Sequence, residues 1–174
     1  MTPELMEEYK KELLDNIQAE MKDEGKVRPF MQIIGEKEEM DKPVIIHVVT
    51  EFGDDESKDF FIEEVIPEIS RKLKKNQITP HHVVFVSEVW MTMVDKNTNK
   101  TKKEEAIFIA YSSEEGESME AYNIIRHDYE VDEQGELSSK IDLIKNEDLS
   151  SKNETSSAGR FSNLYAILMK QFNK

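Results

Sequence analysis

The chain has 174 residues, a formal net charge of −14, 37% hydrophobic residues and no cysteine. That length suits one domain able to bury about 70% of its unfolded surface. The lack of thiols excludes disulfides, thiolate metal sites and cysteine nucleophiles, and the acidic balance opposes binding to phosphate backbones or anionic membranes.

Thr2 is suited to cap a helix with Pro3 in its first turn, and Leu5, Met6, Tyr9, Leu13, Ile17 and Met21 recur at helical spacing until Gly25. This opening is acidic and amphipathic, unlike a secretory signal, and no apolar run approaches the roughly 20 residues that cross a bilayer. A soluble, cytoplasmic protein is expected. Residues 27–35 and 43–50 read as two strands of a hairpin, with His47 an ordinary packed or hydrogen-bonded histidine. Asp54 or Asp55 can cap the next helix, 55–76, which carries Phe61, Ile62, Val65, Ile69 and Leu73 on one face. Pro67 inside it predicts a kink or restart near Ile66, because proline removes one backbone bond and crowds the preceding turn.

His82 to Val94 is the stretch around which the rest is organised. Alternation puts Val84, Val86, Trp90 and Val94 on one face and Val83, Phe85, Val89, Met91 and Met93 on the other, which predicts a central strand buried on both sides. Adjacent His81 and His82 would point to opposite faces, so no metal site is expected there. A lysine-rich loop leads to a strand at 105–111, and polar turns then lead to strands at 119–131 and 136–144. Residues 1–145 are expected to form a single α+β domain. Its antiparallel sheet would have about six strands in the order ββ-α-ββββ, with an N-terminal helix and a kinked covering helix. Residues 146–159 read as a flexible linker, and 160–174 as a C-terminal amphipathic helix with Phe161, Leu164, Tyr165, Leu168 and Phe172 in its stripe. That stripe can dock back on the domain, or serve a partner or a second copy.

The chemistry is sparse. There is no GxGxxG, P-loop, HExxH or GxSxG. Glu88 interrupts the apolar central strand, so it must be hydrogen-bonded, paired, protonated or lifted out at a bulge. Arg126 or Arg28 could neutralise it. An enzyme built here would be a small hydrolase using Glu88 as base or metal ligand with Arg126 and His127, Asp128 lying beside them. The other prominent feature is acidic. From Ser112 to Glu136 nine acids face one base, Arg126, a net of −8.

Phe85-Val86-Ser87-Glu88-Val89-Trp90, with Gly25-Lys26-Val27-Arg28-Pro29-Phe30 before it and Lys103-Glu104-Glu105-Ala106-Ile107 after it, resembles a family of small prokaryotic and phage proteins whose activity is unknown. Members carry a strand reading roughly Phe-Val-Ser-Glu-Ala-Trp, with Val89 here in place of Ala. The resemblance covers residues 25–126 and implies a prokaryotic or viral origin and a common strand layout, not a function. The leading expectation is therefore a non-enzymatic protein that binds a protein partner or itself, without a cofactor and without direct contact to nucleic acid. It would be a phage-type accessory or inhibitor whose acidic surface includes Glu114, Glu115 and Glu117, with Phe161, Leu164 and Leu168 as further partner-binding residues. A mimic of nucleic acid is a narrower version, and the hydrolase is the alternative.

Overall fold

A computed structural model of the chain describes residues 2–50, 55–94, 101–127, 130–131, 137–138, 140–147, 151–152 and 163–174. Helix α1 (Pro3–Glu24) starts as the sequence predicts: Thr2 Oγ1 accepts the Leu5 N–H at 3.4 Å, and Pro3 sits in the first turn, where its missing donor has no intrahelical acceptor. It stops at Gly25, which takes φ 73° and donates its N–H to the Met21 carbonyl at 2.9 Å. An L side chain at that left-handed position would cost about 1–2 kcal/mol. Tyr9, Leu13, Ile17 and Met21 form its buried stripe, each aliphatic side chain contributing about 1.5–3 kcal/mol.

The strands are β1 (Phe30–Lys37), β2 (Val44–Val49), β3 (Ile78–Val94), β4 (Thr101–Ser113), β5 (Gly116–Arg126), β6 (Glu130–Val131), β7 (Leu137–Ser138), β8 (Ile141–Lys145) and β9 (Ser151–Lys152). Six of them form an antiparallel sheet in the order β2-β1-β3-β4-β5-β8; β9 also pairs with β5, and β6 pairs with β7 apart from this sheet. The remaining helices are α2 (Asp55–Phe60), α3 (Ile66–Lys75) and α4 (Leu164–Phe172). The chain is thus α+β, with N-terminal, central and C-terminal helices.

The described chain divides into two compact units. The first comprises Met1–Val27, Ser87–Phe108 and Glu120–Ser150. In it α1 packs against β8, and Gln18 Nε2 donates to the Ile141 carbonyl at 3.2 Å. Its core includes Leu13, Ile17, Met21, Ala106, Ile107, Ala121 and Ile141. The second comprises Arg28–Val86, Ile109–Met119 and Ser151–Lys174. Here β1 lies between β2 and the first half of β3, in register from Phe30↔Val49 to Gly35↔Val44 on one side and from Phe30↔Val86 on the other. The ladder with β3 slips between Ile34 and Gly35. A Cβ on Gly35 would stand 2.7 Å from the Thr79 carbonyl oxygen and 2.9 Å from Ile78 Cγ2, so only glycine fits there.

Between α2 and α3 the helix widens. Phe61–Val65 form one π-helical stretch, and the Ile66 N–H bonds to the Phe61 carbonyl five residues back. Pro67 then opens α3. With no N–H at residue 67, the Glu63 carbonyl loses its regular helical donor, so the expected restart near Ile66 takes the form of a π turn.

Three expectations need correction. Among the residues of the central strand whose burial is described, both faces are buried over Val83–Val86, Ser87 to Val89 are half-buried and Trp90 is 67% exposed; the side chains of Met91, Met93 and Val94 lie outside the description. The stretch expected as strands at 119–131 and 136–144 is divided among β5, β6, β7 and β8. The C-terminal stripe is used within the second unit rather than offered to a partner: α4 packs on α3, Leu164 and Leu168 are 2% and 1% exposed, and Lys74 Nζ stands 5.6 Å from the centre of the Phe172 ring. Phe161 and most of 146–159 lie outside the described residues, although Ser151–Lys152 form β9 where a linker was expected.

Candidate functional site

The residues expected to serve a hydrolase do not share partners. The Glu88 carboxylate is half-buried and accepts the Val27 N–H at 3.2 Å, so its burial is met by a backbone donor. Arg126 instead pairs through Nε with Glu105 at 2.8 Å. His127 Nε2 stands 2.8 Å from the Asp142 carboxylate, and the His127 N–H bonds to the Lys140 carbonyl. Each has its own neighbour. Asp128 lies outside the described residues, and among those described no group of three His, Asp or Glu could hold a metal ion.

The acidic turn is divided in role. Glu114 and Glu115 are exposed, whereas Glu117 accepts the backbone N–H of Asn163 and so helps fix the start of α4. Asn163 in turn has φ 52° and accepts the Ala166 N–H through its side chain at 3.1 Å. The buried Ser112 hydroxyl donates to the Val83 carbonyl at 3.2 Å and accepts the Tyr165 N–H at 3.1 Å. The helix is thereby tied to the sheet by polar as well as apolar contacts.

A charged cluster with several described partners is centred on Glu120 in the first unit. Tyr122 Oη donates to Glu120 Oε2 at 2.8 Å, and Lys10 and Lys145 approach its other oxygen at 3.3 and 3.7 Å. Burial opposes the negative charge, but the tyrosine hydrogen bond and the two ammonium groups outweigh it and hold the carboxyl below its ordinary pKa. The Tyr122 phenol is pushed up, by burial first and then by its bond to this carboxylate. Every acceptor there is answered from α1, β5 or β8, which makes the cluster a structural clamp.

A concave feature of the second unit lies elsewhere. β2 ends the sheet, and beside it runs a groove of about 620 Å³, within the size range of ligand and peptide clefts. Ile46 to Val49 form one wall, and Phe60, Val65, Ile69 and Leu73 of the helical segment form the other, with Glu64, Glu68 and Lys72 at the margin. Neighbours along a strand face opposite sides, so lining by four successive residues means that the groove wraps the edge of the strand. The register places Ile45, His47 and Val49 on one face with Ile34, Gln32 and Phe30. His47 is held there by Gln32 Nε2 at 3.2 Å and by the Phe30 ring, 4.7 Å between centroids. Ile45, Val49 and Phe60 remain 49%, 59% and 60% exposed. The sequence signal for this groove was slight: the run Val44–Val49 promises burial, whereas strand alternation leaves Ile45, His47 and Val49 exposed on one face. Phe60 falls one position off the apolar stripe of its helix.

No protein-family model, no curated protein and no solved structure matches the chain.

Proposed function

We propose that the protein acts without catalysis, by binding a protein partner in the groove between β2 and the α2–α3 segment. The observation that carries this reading is the exposure of three large apolar side chains, Ile45, Val49 and Phe60, of which Val49 and Phe60 line one apolar groove at a sheet edge. Large apolar groups grouped in this way are characteristic of interaction surfaces. A phage-type accessory or inhibitor working in the cytoplasm fits this reading and the resemblance of the Phe85–Trp90 motif. Glu114 and Glu115 would add an acidic margin for a cationic partner.

The test is site-specific crosslinking in a prokaryotic host lysate, with a photoreactive amino acid placed at Val49, at Phe60 or, as a control, at the exposed Met40 outside the groove. One protein captured from both groove positions and not from Met40 is the expected result. Capture at all three positions alike, or at none, would overturn the assignment of the groove.

A further inference from the structure

Terminal strands present unpaired N–H and C=O groups along their outer side, and native sheets guard them with lysine, other charges, proline or a covering element. At the β8 end of the sheet, Asp142 and Lys145 lie within the strand. β2 reads Val-Ile-Ile-His-Val-Val, six residues with no formal charge and no proline, and no strand lies outside it among the described residues. Such an edge accepts another extended chain through its main chain, and the side chains then decide which. Pairing of β2 with β2 of a second copy suits them residue by residue. Residues directly opposite in an antiparallel ladder share a face. A two-fold axis through His47 therefore sets the exposed Ile45 against the exposed Val49 of the second copy, and Ile46 against its Val48, both of which line the groove. An axis through Ile46 or Val48 would instead leave Val49 or Ile45 without an opposite residue in β2.

The charges lining the groove obey the same symmetry. They are Glu64, Glu68 and Lys72, about one helical turn apart on the wall opposite β2. Glu68 is held by Arg71 at 2.8 Å and by Lys72 at 3.9 Å, whereas Glu64 is exposed and makes no ion pair with any described residue. A two-fold axis reverses the helical wall together with the strand, so Glu64 of each copy lies toward Lys72 of the other, with Glu68 nearer the axis. The net charge of −14 does not gather on this side of the molecule: β2 carries none, and from Asp55 to Lys75 six acids meet five bases, a net of −1. More distant charges are largely screened at 0.15 M salt, where the Debye length is about 8 Å. We infer that the groove takes a second copy of this chain, joined through antiparallel pairing of β2 with β2 about a two-fold axis at His47. Such a pairing closes on itself and leaves neither β2 open to a third chain. This inference rests on the groove being a protein's seat and names that protein; the turn holding Glu114 and Glu115 follows β4, three positions along the sheet from β2, and stays open to a cationic partner.

The experiment uses the full chain. In sedimentation velocity at roughly 100 μM, a concentration that populates even a micromolar dimer, the chain should run as a dimer. Val49→Lys, which puts a guarding charge at an exposed position of the edge, should return it to monomer. A photoreactive amino acid at Val49 of the purified protein should join two copies, with Ile45 in the attached peptide. Glu64→Lys and Lys72→Glu should each weaken the dimer about fivefold, whereas an equimolar mixture of the two variants, or both substitutions in one chain, should restore it. Restoration is a gain of association, so a variant that folds poorly cannot imitate it. A monomer at that concentration, a dimer that Val49→Lys leaves intact, a crosslink from Val49 to a peptide without β2, or charge variants that mixing does not rescue would each overturn the inference. If crosslinking in the lysate captures a different protein at Val49 and Phe60 while the purified chain stays monomeric, this inference alone is lost; if nothing is captured there and the chain is monomeric, the functional reading is lost with it.

Discussion

Gly35 shows how tightly single residues are constrained. Its Cα passes so close to Thr79 and Ile78 that a methyl group would meet both at under 3 Å. Gly35→Ala should therefore cost about 1–3 kcal/mol in urea unfolding, the usual penalty of overpacking against backbone that cannot give way. Glu120 is constrained by charge. Because its folded pKa lies below the ordinary value, its contribution is fully present above the ordinary carboxyl pKa and is lost as pH falls through the depressed folded value. Glu120→Gln should destabilise by about 1–3 kcal/mol at pH 7. The difference from wild type should shrink as unfolding is repeated at progressively more acidic pH; a constant difference would show that charge is not its role. At this scale the sequence was only half legible. It singled out Glu88 as a carboxylate that must be hydrogen-bonded, paired, protonated or lifted out, and offered Arg126 or Arg28 as its partner. The donor is the backbone N–H of Val27, and backbone donors cannot be told apart by residue type. Glu120 was read only as one acid among nine, because the two ammonium groups that neutralise it lie 110 and 25 positions away, on α1 and β8.

Local rules fixed the elements better than the single contacts. Thr2, Pro3 and Gly25 mark the ends of α1, and Pro67 marks the break near Ile66, since caps, φ restriction and missing donors act within a few residues. The strand hairpin 27–50 emerged for the same reason. What an element buries its face against is a tertiary matter, and there α4 was open to two readings. With Leu168 1% exposed and α4 packed on α3, Leu168→Ala should lose about 2–5 kcal/mol of stability in the isolated protein. A stripe reserved for a partner would lose nearly none in the same urea titration. Trp90 carries the opposite lesson: alternation on β3 assigned it to a covered face, and it is exposed, because apolar alternation along a strand does not say which of its faces another element covers.

Across the whole chain the order β2-β1-β3-β4-β5-β8 agrees with the expected antiparallel α+β sheet of about six strands. Hairpin connectivity made that much readable, whereas the open side of β2 could not be inferred without knowing which strand comes last. The net charge of −14 acts at this scale too. Self-repulsion among surplus carboxylates opposes compaction, and the Debye length shortens from about 30 Å at 0.01 M salt to about 8 Å at 0.15 M. The thermal midpoint should accordingly rise as sodium chloride is added over that interval, as scanning calorimetry would show. The same repulsion has a second task wherever β2 stands uncovered. A short, uncharged, proline-free run of β-branched residues is the kind of segment that stacks into cross-β fibrils, and mutual repulsion is what keeps neighbouring chains from templating one another. Screening that repulsion with salt should shorten the lag before thioflavin fluorescence appears in concentrated protein.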